Sequence, residues 1–188
     1  MRKNRLIASV YDRRTAVKLG AGTAAAAGIA LLAPSSARAA MPERTLSFYH
    51  LHTGEKLKTT YWADGSHIPD ALADINHILR DFRTTETWPI DPRLLDLLHR
   101  VQESLGTDEP YHVISGYRSP ATNTKLANRS AKVARRSLHL AGQAIDVRLP
   151  GRPLRKLHKA SVAQKSGGVG YYPKSNFIHI DVGRVRYW

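Results

Sequence analysis

Two segments of this chain bring together residue types that can hold a divalent cation: Ser137-Leu138-His139-Leu140-Ala141-Gly142-Gln143-Ala144-Ile145-Asp146 and Phe177-Ile178-His179-Ile180-Asp181-Val182. His139 and Asp146 can reach one point if His139 ends a loop, a tight turn forms at Gly142 and Asp146 sits on a strand. His179, from a neighbouring strand, would complete the set. Three nitrogen or oxygen ligands with a fourth position open to water are the arrangement of catalytic zinc. Such a metal lowers the pKa of its water toward about 7 and polarises a carbonyl under attack. His and carboxylate ligands accept other divalent metals as well. The chain contains no cysteine, so thiolate ligands and disulfides are excluded. A lone His or Asp on a strand is more often a packed or surface polar group, and it is the joint spacing that points to a site.

The pattern S-x-H-x-x-G-x-A-x-D followed by H-x-D resembles the D-alanyl-D-alanine metallopeptidase and hedgehog-like (LAS) zinc peptidase superfamily, and within it the murein endopeptidase K branch. Members of that branch cleave peptide crosslinks in peptidoglycan. The likeness covers residues 45–188 and takes in the turn Ser115-Gly116-Tyr117-Arg118-Ser119. It implies His139, Asp146 and His179 as zinc ligands, and Arg118 as the residue nearest a substrate carboxylate or carbonyl oxygen. A planar guanidinium can grip a carboxylate through two hydrogen bonds or favour an oxyanion; the alternative for Arg118 is a turn residue paired with a local carboxylate.

Relatives place a general base either as a His two residues before the last ligand or as a carboxylate three residues before it. Here those positions are Phe177 and Asn176, which cannot take a proton. Asp181 is the substitute, because side chains two apart on a strand share a face. It serves as base or as the partner that orients a ligand, with orientation favoured. The activity implied is that of a zinc-dependent peptidoglycan endopeptidase. Two other readings share these residues: a D,D- or L,D-carboxypeptidase trimming stem peptides, and a noncatalytic peptidoglycan-binding module, for which the missing upstream base argues.

The elements that must position these residues follow from periodicity. Thr45 to Tyr61 reads as a β-hairpin turning at His52-Thr53-Gly54-Glu55. Leu72, Ile75, Ile78, Leu79 and Phe82 predict a helix over 68–84, and Asp91-Pro92 opens a second that ends at Gly106. Beyond residue 110 come a strand at 111–115, a short helix near 121–128, a basic loop over 128–136, a strand at 144–148, a helix over 154–164 and two final strands, 167–172 and 177–182, that can pair. The expected fold is a single α+β domain in which a small antiparallel sheet carries the ligands and helices pack on one side. The other seven histidines are expected on the surface or in packing, with His112 a candidate for the cleft, and Tyr171 and Tyr172 are expected in a cleft wall or in the core.

Residues 1–40 read as an export signal, with basic residues at the start, small apolar residues from Leu19 to Leu32 and Ala37-Arg38-Ala39 as the cleavage site. Asp12-Arg13-Arg14-Thr15-Ala16-Val17-Lys18 resembles the twin-arginine motif, with Ala16 where a Phe is usual. The domain then spans 41–188 and works in the periplasm or cell envelope. It meets a membrane only if the signal is left uncleaved, since the apolar run is shorter than the roughly 20 residues a spanning helix needs. The whole chain has 29 basic and 15 acidic residues; the first 39 positions take seven and one of these, leaving a net charge of +8. A positive surface suits an anionic wall polymer. Nucleic acid is not expected, because the basic residues are scattered and no helix-turn-helix or zinc-finger spacing organises them. A monomer is expected.

Overall fold

The computed structural model describes residues 42–130 and 134–188. The expected export segment 1–40 lies outside them, as does the middle of the basic loop. Leu46, Phe48 and His50 turn inward from β1 (Arg44–His50), which pairs antiparallel with β2 (Lys56–Ala63) to close the expected hairpin. A two-residue strand, β3 (Ser66–His67), extends the edge.

Pro69 begins α1 (Pro69–Ile78), where its missing N–H leaves no helical bond unmade, and Ala71, Ile75 and Ile78 are buried. The apolar pattern runs on to Phe82, yet the helix stops at Ile78. The Leu79 carbonyl accepts from the Tyr117 N–H (2.8 Å), and the Asp81 carboxylate accepts from the Ser119 N–H (2.9 Å) and hydroxyl (2.8 Å). Docking on the 115–119 turn thus replaces the last helical turns, and tertiary partners override periodicity.

In α2 (Pro92–Leu105) the Asp91 carboxylate caps the Arg93 N–H and Gly106 ends the helix in the left-handed region, as expected. There follow β4 (Tyr111–Ser115), α3 (Pro120–Arg129), β5 (Ala144–Arg148), α4 (Leu154–Ala163), β6 (Gly168–Tyr172), β7 (Phe177–Asp181) and β8 (Arg186–Tyr187).

The strands form one sheet in the order β3-β2-β1-β4-β5-β7-β6-β8. The α+β class holds, but the sheet is neither small nor wholly antiparallel: it has eight strands, and β1/β4 and β6/β8 run parallel. The reason is topological. After the hairpin, α1 and α2 carry the chain back across one face, so that β4 enters beside β1 in the same direction. The patch formed by β5, β7 and β6 is antiparallel as expected.

One continuous core joins α1, α2 and α4 to this sheet through Ile75, Leu94, Leu98 and Leu157 on the helices and Phe48, Val113, Ile145, Val147, Ile178 and Ile180 on the strands. Asp146 and His179 alternate with those strand residues and so face the other side of the sheet. No helix among the described residues is long and apolar enough to cross a membrane.

Candidate metal centre

Asp146 and His179 stand directly opposite each other in the β5/β7 register. His139 arrives from outside the sheet on a 3-10 turn, Leu138–Ala141. The Ser137 hydroxyl accepts from the His139 N–H (3.4 Å), and Gly142 closes the turn at φ 66°. A side chain at Gly142 would strike the Pro89 carbonyl. The S-x-H-x-x-G part of the motif is therefore a cap, a ligand candidate and an obligatory left-handed turn.

Two hydrogen bonds decide which nitrogen each imidazole presents. His139 Nδ1 lies 2.7 Å from the Gly116 carbonyl oxygen, which can only accept, so Nδ1–H donates and Nε2 carries the lone pair. His179 Nε2 lies 2.9 Å from Asp181 Oδ2, so its N–H points there and Nδ1 is bare. His139 Nε2 and His179 Nδ1 are 3.2 Å apart. Asp146 Oδ1 is 3.3 Å from the first and 2.9 Å from the second. Three acceptors pointed at one another at these distances repel unless a proton or a cation lies between them. His139, Asp146 and His179 form a group whose ligand atoms all lie within 4.8 Å of one another. This donor set fits a divalent cation with nitrogen and oxygen preference.

The charge states of Asp146 and His139 agree with that fit, whereas His179 must give up a proton to a bound cation. Burial opposes the charge on Asp146, but the two adjacent imidazoles and the Arg118 guanidinium outweigh it and hold the carboxyl far below the usual range. Burial pushes the His139 pKa down, against the pull of Asp146, which favours the neutral imidazole a metal needs. His179 is raised: burial opposes protonation, and the hydrogen bonds to Asp146 and Asp181 outweigh it.

Arg118 reaches the site with its fork already engaged. Nε donates to the Ser115 hydroxyl (2.9 Å), and the terminal nitrogen pairs with Asp146 Oδ2, leaving Oδ1 to the imidazoles. The local carboxylate foreseen as an alternative partner is thus the ligand candidate itself.

Asp181 is fully buried. It accepts from the backbone N–H of Gly168 (3.0 Å) and Gly183 (2.9 Å), from Arg186 (2.7 and 3.1 Å) and from His179. These contacts overcome the burial cost and keep it ionised well below the ordinary carboxylate range.

The group opens into a cavity of about 320 Å³ whose wall includes Arg118, Arg136, Tyr172, Phe177, Arg186 and Trp188. Of the tyrosine pair, Tyr172 lines this cavity and stacks on Phe177 (4.7 Å), whereas Tyr171 packs beside His158. His112 belongs to a separate, larger groove of about 680 Å³ with Tyr49 and Lys58, which contains no comparable ligand set.

Sequence reasoning missed the Gly116 carbonyl, Arg186 and Trp188. A backbone acceptor carries no side-chain signal. Arg186 and Trp188 follow a turn after the last strand it expected, and only the partners of Asp181 reveal them.

An α+β domain that brings two imidazoles and a carboxylate together over one sheet face, beside an open cleft, has the donor set that metallohydrolases use. The comparisons name the branch. Residues 38–188 match the model of the family described as peptidoglycan L,D-endopeptidase MepK, and the chain belongs to that family. It is 44% identical over 178 residues to the peptidoglycan L,D-endopeptidase MepK of Escherichia coli (strain K12), covering 94% of this chain and 97% of that protein. The same figures hold for the MepK of Shigella flexneri. A probable peptidoglycan L,D-endopeptidase MepK of Haemophilus influenzae is 40% identical over 146 residues, covering 77% of this chain and 78% of its own length.

Proposed function

We propose that this protein hydrolyses peptide crosslinks of peptidoglycan at an L,D bond, with zinc held by His139 Nε2, His179 Nδ1 and Asp146 Oδ1. The observation that carries the proposal is the convergence of those three lone pairs, each fixed by a hydrogen bond on the far side of its own group, in a member of the MepK family. Zinc bound there supplies Lewis-acid activation of water and of the amide carbonyl.

The chain's own residues do the rest. The Gly116 carbonyl and the Asp181 carboxylate hold the two imidazoles in the ligating tautomer. Arg118 keeps Asp146 ionised and places a positive charge in the cavity wall, where it favours negative charge growing on the amide oxygen. Asp181 has no exposure and no lone pair left over, so it orients His179 and takes no proton from solvent. Apart from His139, Asp146 and His179, no imidazole or carboxylate is found among the described residues of the cavity wall, and protons pass to and from water. Residues 1–40 direct export, so that catalysis takes place in the envelope where the polymer lies.

The test is digestion of purified sacculi of known crosslink type with zinc-loaded protein, read by mass spectrometry. Crosslinked dimers are expected to become monomers, and His139→Ala is expected to abolish this while remaining folded. Monomers shortened by one residue, sacculus binding without soluble product, or full activity of the alanine variant would each overturn the proposal.

A further inference from the structure

The segment Thr84-Thr85-Glu86-Thr87-Trp88-Pro89 lies between α1 and α2 and contributes no residue to the core, yet it is pinned at both ends. The Asp81 N–H donates to the Glu86 carbonyl (3.0 Å) and the Thr85 N–H to the Asp81 carbonyl (2.7 Å). On the other side the Ile90 N–H donates to Asn76 Oδ1 (2.8 Å) and the Asp91 N–H to the Gly142 carbonyl (3.0 Å). Thr85 sits at φ 63°, a left-handed conformation that a β-branched residue adopts only where its surroundings force it. A loop constrained in this way holds still whatever it displays.

What it displays is Trp88, 48% exposed. The indole stacks on Tyr117 (5.8 Å between centroids, 13° between planes), and Tyr117 is buried. One face of the indole is thus backed by the domain and the other is turned to solvent. The ring also packs against the turn that carries His139, since a Cβ at Gly142 would lie 3.2 Å from indole Cδ1. Trp88 is not part of the metal cavity's wall. It stands next to that cavity, because Tyr117 precedes Arg118 and Gly142 closes the His139 turn.

An ordered aromatic face loses little further freedom when a ligand lies on it, and the chemistry around it defines the ligand. Thr85, Glu86 and Thr87 are exposed beside it, so the loop offers hydroxyls and one carboxylate, and residues 84–91 include no Lys or Arg. The flanking arginines are occupied: Arg83 lies over the Phe82 ring (4.0 Å) and Arg93 pairs with Asp91 (2.6 Å). An anionic ligand finds no partner on this loop. A neutral pyranose does, with its C–H face on the indole and its hydroxyl and acetamido groups bonded to Thr and Glu side chains.

We propose that Trp88, with the side chains of Thr85, Glu86 and Thr87, is a platform for a neutral N-acetylated sugar of the glycan strand, outside the metal cavity. This rests on the peptidoglycan reading above and adds a contact to the strand that carries the peptides.

Two measurements test it. Titration calorimetry with a soluble oligomer of β-linked N-acetylglucosamine is expected to show binding that Trp88→Ala removes and Trp88→Phe retains in part. Steady-state kinetics then compare crosslinked dimers that keep their sugars with the same dimers stripped of them. The wild type is expected to show a KM about tenfold lower with the sugars, the weight of one aromatic contact. Trp88→Ala is expected to erase that difference by raising the KM of the sugar-bearing dimer alone, with kcat and zinc affinity as in the wild type.

A merely structural role for Trp88 beside Gly142 moves both KM values together, or the zinc affinity, and overturns the platform. A wild type that binds no oligomer or does not distinguish the two dimers also overturns it. So does a self-association in sedimentation that depends on Trp88, which makes the face an interface between copies. A wild type that cuts neither dimer nor sacculi fails the peptidase reading, whereas oligomer binding lost in Trp88→Ala would then still support the platform.

Discussion

Replacing Asp181 by Asn keeps the shape of the side chain and removes one of its two acceptor oxygens. That oxygen matters because the carboxylate accepts five hydrogen bonds: from Gly168 N–H, Gly183 N–H, two nitrogens' worth from Arg186, and His179 Nε2–H. An amide has one oxygen and one NH2 group, so it must fail one side. If the oxygen stays with the two backbone N–H groups, the NH2 faces His179 and donates to Nε2. The imidazole proton then moves to Nδ1, the atom that should ligate. Loss of such an orienting partner typically weakens metal affinity about 10- to 100-fold, roughly 1.4–2.7 kcal/mol. The metal-free fold should lose about 2–4 kcal/mol as well, since the lost bonds are charge-assisted and buried, while Arg186 can rehydrate in part.

The assays are zinc titration against a chromophoric chelator, urea unfolding of the metal-free protein, and kcat at saturating zinc. Orientation predicts that kcat at saturation stays within about tenfold of the wild type, because the metal can still be forced on by mass action. A general base at Asp181 predicts a loss of about 10²- to 10⁴-fold that zinc does not restore. Wild-type zinc affinity in the Asn variant would falsify the tautomer argument outright.

Gly116→Ala should destabilise the protein by about 1–3 kcal/mol, as overpacking does, because the new Cβ meets the Leu79 backbone carbonyl and its Cβ at 2.9 Å; it should also weaken zinc binding through His139, and an unchanged urea midpoint would contradict this. His50, with no exposed surface, has its pKa pushed down to about 4, chiefly by burial and further by His52 and Arg80, with Glu55 opposing. A histidine kept neutral in the fold but free to protonate near 6.5 when unfolded makes stability fall as pH drops from about 6.5 to about 4. The loss is roughly 3 kcal/mol over that range, at 1.36 kcal/mol per pH unit. His50→Leu should flatten that part of the stability curve relative to wild type in metal-free protein, and parallel curves for the two would refute the assignment.

The convergence of His139, Asp146 and His179 was legible because its signals are side chains. They stand out among the chain's histidines and carboxylates by their joint spacing, and strand alternation correctly put Asp181 on the face of His179. The helix over 68–84 was overrun because Leu79 and Phe82 do pack inward, one fully and one in part, without being helical. Nothing in their types reveals that the Leu79 carbonyl serves Tyr117 instead of the helix. The sheet was underestimated for a similar reason. A parallel β1/β4 pairing is a long-range choice made by the α1–α2 crossover, and two-residue edge strands such as β3 and β8 are too short for periodicity to show.

The charge balance of the site explains why the cleft is basic although each arginine nearest the ligands is neutralised. Arg118 pairs with Asp146 and Arg186 with Asp181, and His139 is held neutral by burial. The four charged side chains therefore sum to nothing, and the imidazoles contribute lone pairs without charge when a metal is bound. Both carboxylates are fully engaged, Asp146 by Arg118 and the two imidazoles and Asp181 by Arg186, His179 and two backbone N–H groups, so neither is left to offset a further positive charge in the cleft. A bound divalent cation would add its charge to a cavity that already carries Arg136, which sets a requirement for negative charge that anionic groups of a substrate can supply. A polymer whose peptides bear free carboxylates meets that requirement, and a neutral peptide of the same length does not.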